Sequence, residues 1–165
     1  MPLTHFDRHR LAAALAASML ALAGAATVAP ARAAEQPTVI VLTQVACQFL
    51  ESENDVHRGF TTRQKSDCDS INERTGTERL AEARVLELTP GSYVFRVTNK
   101  DVPYDLGFWV RGDGLVNRAR LPSVSGGGLS TGATRDYEIN LKAGDYVYSC
   151  PLNPTPDYKI IVRDN

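Results

Sequence analysis

From Val85 to the end of the chain, apolar and polar residues alternate with a period of two, the mark of strands that bury one face. This pattern predicts strands at Val85–Leu88, Ser92–Thr98, Leu106–Val110, Asp136–Leu141, Asp145–Ser149 and Tyr158–Val162. In Ser92–Thr98, Tyr93, Phe95 and Val97 fall on one face and Val94 and Arg96 on the other. Thr89-Pro90-Gly91, Gly112-Asp113-Gly114 and Lys142-Ala143-Gly144 separate these runs. They supply the fixed φ of proline and the permissive backbone of glycine that turns use. Upstream, Thr38–Thr43 is β-branched and apolar and predicts one more strand. Segments 86–99 and 139–153 echo each other: strand, x-Gly turn, aromatic strand, polar exit. Residues 115–135 read mostly as loop around Ser125–Ser130. Short strands at this spacing predict an all-β sandwich or barrel.

Residues 47–84 break the pattern, being polar and charged with little alternation. Ser70-Ile71-Asn72-Glu73 has the form of a capping box, so a short helix is expected to start there. Gly76 is expected to end it, and Thr77 to cap a second turn through Arg84. The stretch reads as an insertion or long loop with short helices after the first strand.

At the N-terminus, His5, Arg8, His9 and Arg10 precede the apolar run Leu11–Ala29, which Pro30 ends. Ala31-Arg32-Ala33 follows, with small residues where a signal peptidase reads. This is the layout of a secretory signal peptide cleaved near Ala33. A membrane anchor is the alternative for so long a run, but its alanine-rich composition and A-x-A end favour cleavage. The expected organisation is a signal peptide at 1–33 and one domain at 34–165. Its expected location is periplasmic or secreted, with no membrane span after cleavage. The chain has 165 residues, 43% hydrophobic and 22% charged, which excludes a disordered or low-complexity protein. Cleavage removes Arg8, Arg10 and Arg32 against one acid, Asp7. That leaves 15 basic and 18 acidic residues and a net charge of −3, without the basic footprint of a nucleic-acid binder.

Cleavage also decides the candidate chemistry. It removes both methionines, Met1 and Met19, with His5 and His9, so His57 becomes the only imidazole. Cys47, Cys68 and Cys150 remain. In an oxidising compartment three thiols leave one disulfide and one free thiol, or they serve a metal. Three pairings are open. Cys47–Cys68 is the expected one, a closure of about twenty residues that contributes on the order of 3 kcal/mol. Cys47, Glu51, His57 and Cys68 combine thiol, carboxylate and imidazole, but Cys47-x9-His57-x10-Cys68 is not a zinc-finger spacing. Ser125-Gly126-Gly127-Gly128 lacks the Lys-Ser/Thr ending of a phosphate loop and reads as a connector. No G-x-S-x-G elbow is present, and no enzymatic role is expected.

The second half of the chain resembles a cupredoxin, the Greek-key β-sandwich of blue-copper proteins. The segment running into Thr98-Asn99-Lys100-Asp101-Val102-Pro103 resembles the approach to that family's first copper histidine. Strands 136–149, ending in Tyr148-Ser149-Cys150-Pro151, resemble the stretch that delivers its copper cysteine. Tyr158–Val162 resembles its last strand. The match covers roughly residues 85–165, whereas 47–84 lies outside it. The resemblance implies a cupredoxin-like Greek-key β-sandwich with a short helical insertion after the first strand. Trp109, in the apolar run of Leu106–Val110, is expected in the core between the sheets. The resemblance also puts the cysteine ligand at Cys150, but Tyr104 stands at the former histidine position with Asp105 next to it. Residues 151–157 contain neither the second histidine nor a methionine.

A blue-copper centre takes two imidazoles, a thiolate and a weak axial group. One subunit of the mature chain has a single imidazole and no thioether. The family can therefore be represented here only by a divergent member. Two functions follow from the resemblance. In the first, copper is bound or handled at an atypical site of Cys150 with His57, Asp105 or Glu51, with a metal donor or acceptor protein as partner, and electron transfer as a further role. In the second, the sandwich is a metal-free binding or scaffold module. Its loops near 100–105 and 150–157 then meet a periplasmic protein, and Tyr104 fills the copper's place.

Overall fold

A computed structural model of the chain describes residues 36–164. The leader expected at 1–33 lies outside the described residues. The elements run β1 (Thr38–Val45), β2 (Gln48–Phe49), a 3-10 turn (Glu51–Glu53), α1 (Lys65–Glu82) and β3 (Leu86–Leu88). Then follow β4 (Gly91–Asn99), β5 (Leu106–Gly112), α2 (Gly114–Arg120), β6 (Val124–Leu129), β7 (Thr134–Leu141), β8 (Gly144–Ser149) and β9 (Tyr158–Val162). The strands expected from the alternating pattern are present, with ends shifted by about two residues at most.

Two sheets form a β-sandwich. One has the order β2-β1-β4-β7 and the other β3-β9-β8-β5-β6. β1 and β4 pair in parallel, Thr38 opposite Tyr93 and Gln44 opposite Asn99. Parallel neighbours need a crossover connection, and residues 46–90 are that connection. The supposed insertion thus returns the chain to its first sheet and also lays β3 parallel to β9 in the second. Between the sheets lie Leu42, Phe95, Val97 and Tyr137 from one side and Phe108, Val110, Tyr148 and Ile160 from the other. Phe95 and Phe108 meet at 5.4 Å between centroids, and Phe49 packs edge-on against Tyr148 and Tyr158. Such aromatic pairs add to area burial at offset or edge geometry.

Three expectations are corrected. Residues 65–82 form one helix, and Gly76 lies buried inside it instead of ending it. Its capping box is Gln64 with Asp67, not Ser70 with Glu73; Asp67 Oδ2 accepts the N–H groups of Arg63 and Gln64. The helix tolerates glycine because its inner face is anchored. Cys68, Asn72, Thr75 and Arg79 follow the i, i+4, i+7, i+11 spacing of one face. Cys68 is bonded to Cys47, and Asn72 Nδ2 donates to the Pro154 carbonyl at 2.6 Å. Arg79 enters a buried ion cluster. Its Nε and Nη2 donate to Glu53 Oε1 at 2.9 and 2.6 Å, and Nη2 also reaches the Cys47 carbonyl at 2.7 Å. Tyr158 donates to the same carboxyl oxygen at 2.5 Å, and Arg58 Nε donates to Oε2 at 2.7 Å. Burial alone would raise the Glu53 carboxyl, but its hydrogen bonds from Arg79, Tyr158 and Arg58 outweigh that and hold it below the usual carboxylate range.

The second correction concerns 115–135, which carries α2 and β6 and is not mostly loop. α2 lies against the end of β5 because residue 112 has no side chain; a β-carbon there would collide with the Asn117 carbonyl. Third, Trp109 is not in the core. It is half-buried, between the guanidinium groups of Arg111 and Arg118 at 4.2 and 5.7 Å from its ring. Phe108 and Val110 take the inward positions of β5, so alternation turns Trp109 outward. No described helix is long and apolar enough to cross a membrane.

Candidate functional site

The ends of β1, β4 and β8 and the start of β5 meet at one pole of the sandwich. Gln44 ties the sheets there, its Nε2 donating to the Gly107 carbonyl at 2.9 Å. Asn99, wholly buried, organises the following loop. Its Nδ2 faces the carbonyls of Val102, Tyr104 and Leu129, and its Oδ1 accepts the Val102 N–H.

Cys150 follows the last residue of β8 and is 1% exposed. Its Sγ accepts the N–H groups of Gly107 at 3.4 Å and Asn153 at 3.2 Å. Burial pushes the thiol up from its ordinary range, against the opposing pull of the Gly107, Asn153 and Leu152 N–H groups. A metal held here would displace the thiol's proton.

Asn153 closes the pole. It has no exposed surface. Nδ2 donates to the Val45 carbonyl and Oδ1 accepts the Cys47 N–H, both at 2.9 Å. Oδ1 also lies 3.0 Å from the Cys68 sulfur and receives the Tyr104 hydroxyl at 3.4 Å. The loop after Cys150 is thus fastened to β1, to the Cys47–Cys68 disulfide and, through Asn72, to α1. Tyr104 is half-buried and donates to Thr62 Oγ1 at 3.2 Å. Burial raises its hydroxyl pKa, with the Thr62 bond opposing.

The Cys47–Cys68 disulfide is present, with 5.1 Å between Cα atoms, and Cys150 is the free cysteine. The other expected site residues do not gather around it. His57 is exposed, beside a shallow hollow lined by Phe60, Thr62, Asp101 and Pro103. Glu51 Oε2 accepts the Thr43 N–H at 2.7 Å. Asp105 is exposed. Among the described residues no three His, Cys, Asp or Glu side chains converge. Gln44 Oε1 is a buried acceptor without a partner among the described residues, but an amide oxygen is a hard donor and a poor companion for a soft thiolate. The residues at this pole do not fit a blue-copper centre, nor the set of Cys150 with His57 and a carboxylate.

Sequence reasoning missed Asn153, Thr62 and Gln44. The Asn153-Pro154 pair was a legible turn signal. Nothing local marked the asparagine as the fastening of a strand end more than a hundred residues earlier.

No protein-family model matches the chain, and no curated protein sequence does. Among solved structures it is similar to auracyanin B, at a TM-score of 0.49 and 10% identity over 79% of this chain and 92% of that one. Reduced rusticyanin gives 0.42 and 18% over 79% and 83%. Auracyanin A, a "blue" copper protein from Chloroflexus aurantiacus, gives 0.39 and 14% over 78% and 100%.

Proposed function

We propose that this chain is an exported, metal-free β-sandwich binding module with no catalytic role. The observation that carries this reading is the donor set at the pole of Cys150: among the described residues no three His, Cys, Asp or Glu side chains converge. Backbone N–H groups of Gly107 and Asn153 donate to the Cys150 sulfur, and the Asn153 side chain locks the loop down. Such N–H···S bonds suit a thiolate as well as a thiol, so the argument against copper is the want of companions for the sulfur. His57 and Asp105 are exposed, and Glu51 is engaged by the Thr43 N–H, whereas a copper thiolate site needs further soft or imidazole ligands. The ends of β1, β4 and β8 make a closed polar cap over a hydrophobic core. Of the two functions the sequence raised, the geometry favours the module over copper handling.

Copper(I) titration of the purified protein under anaerobic conditions tests this. The expected result is no stoichiometric uptake and an unchanged melting temperature, since a ligand of the folded state would raise it. Thiol counting should find one reactive sulfhydryl, and only after denaturation. One equivalent of copper, lost on Cys150→Ser, overturns the reading and restores copper handling.

A further inference from the structure

Every open sheet needs protection at its edges, because unpaired N–H and C=O groups invite another strand. Three of the four edge strands here are protected. β2 has two residues and β3 three. β7 is long, but Arg135, Asp136 and Glu138 are exposed along it, and Asp136 is paired with Arg96 at 2.7 Å. β6 differs. It reads Val124-Ser125-Gly126-Gly127-Gly128-Leu129, carries no charge, and is exposed from Ser125 to Gly128. It pairs with β5 on one side and is the last strand of its sheet on the other. Only its far end is irregular: between Gly126 and Leu129 its pairing with β5 shifts register by one residue, and Gly128 there is left-handed at φ +69°; Val124–Gly126 stays in regular register.

Beside this edge runs an apolar groove. Its floor is Gly107 with Gly126 and Gly127, and its walls are Trp109 and Leu152. Leu152 is 42% exposed. Its Cδ1 lies 3.6 Å from where a β-carbon on Gly107 would sit and 3.8 Å from that of Gly127. With no side chains on the glycines, residues of an added strand would lean across β6 into the groove. Both ends of the edge carry positive charge. Arg118 stacks on Trp109, which is directly opposite Ser125. Arg135 brings Nη2 to 3.6 Å from the β-carbon position of Gly128. Neither makes an ion pair among the described residues, whereas Arg58, Arg79, Arg96, Arg111 and Arg163 all do.

We propose that β6 is a docking edge for an extended segment of a partner protein, with apolar residues at its centre and an acidic residue near each end. This rests on the binding-module reading and gives that module its site. Main-chain hydrogen bonds along Ser125–Gly127 supply the pairing, the groove takes alternate side chains, and the two arginines select the charge.

The probe is the synthetic peptide Glu-Thr-Val-Thr-Val-Thr-Glu, whose valines and terminal glutamates share one face, with a lysine-ended analogue and a backbone N-methylated analogue. Trp109 is the only tryptophan, so its fluorescence reports binding at the groove, and amide exchange reports pairing. The acidic peptide should shift the fluorescence and slow exchange at Ser125–Gly127. Reversing both charges, Arg118→Glu with Arg135→Glu, should weaken it about tenfold, as the loss of two exposed ion pairs predicts, and should transfer preference to the lysine-ended peptide. The N-methylated analogue should not bind. Equal binding of acidic and lysine-ended peptides, protection at β7 or β3 instead, binding of the N-methylated analogue, or pairing of β6 with a second copy of the chain each overturns the proposal. If the copper-free protein ignores the acidic peptide, the docking edge alone fails. Copper uptake at Cys150 strikes the binding-module reading and leaves the peptide result standing.

Discussion

Glu53 and Asn153 are both sunk from solvent, at 3% and 0% exposure, but one is an ion and the other a neutral amide. Around Glu53 two guanidinium groups and a phenol converge on a single carboxylate. Around Asn153 each bond joins neutral groups, and the nearby thiol is kept protonated by its burial. Removing one partner from the ionic cluster strands a charge, and that costs far more than an unmet neutral hydrogen bond. The ionic cluster therefore decides whether α1 stays on the sandwich. The neutral cluster decides how tightly the loop after Cys150 is shut.

The largest expected effect separates the two clusters directly. Arg79→Met leaves Glu53 buried without its main partner and should destabilise by about 3–5 kcal/mol, read from urea unfolding. Because the Glu53 pKa is lowered on folding, the unfolded chain takes up its proton first as pH falls. Its contribution is complete above the ordinary value of 4.5 and disappears below it, through the lowered folded pKa. Glu53→Gln should flatten that acid limb of the stability curve; an unchanged limb would show that the carboxylate does not hold the helix.

Next comes the covalent link between the clusters. Cys47→Ala with Cys68→Ala opens a closure of 21 residues and should cost about 3 kcal/mol. Thermal unfolding of this double variant measures it, and a loss below 1 kcal/mol would mean that the polar anchors of α1 suffice alone. Asn153→Ala deprives the Cys47 N–H and the Val45 carbonyl of partners and should cost about 1–3 kcal/mol. Its sharper readout is native-state reactivity of Cys150 toward a thiol reagent, which should rise; a thiol as protected as before would refute the role given to the asparagine. The smallest change is Tyr104→Phe, about 0.5–1.5 kcal/mol, because the lost partners are Thr62 and one long bond to Asn153. A larger loss would reveal that Tyr104, rather than Asn153, closes the pole.

Helix α1 shows where sequence reading fails. Its inner face is Cys68 and Arg79, both buried, with Asn72 and Thr75 half-buried between them, mostly polar residues at helical spacing, so no hydrophobic stripe announced it. Their burial makes sense only once Glu53, the Pro154 carbonyl and Cys47 are in place. β6 was hidden for a related reason: three successive glycines have low strand propensity, and only pairing with β5 makes them a strand.

The sequence by itself determined seven of the nine described strands, the turns between them and the shortage of imidazole, because alternation, turn chemistry and composition are properties of neighbouring residues or of simple counting. It also marked Cys47–Cys68 as the expected closure. Only the tertiary structure decided that α1 is one helix, that Trp109 faces outward, and that Asn153 seals Cys150 beneath backbone N–H groups. Those outcomes depend on which polar groups meet across the fold. Burial turns such meetings from unfavourable to favourable only when the partners arrive together.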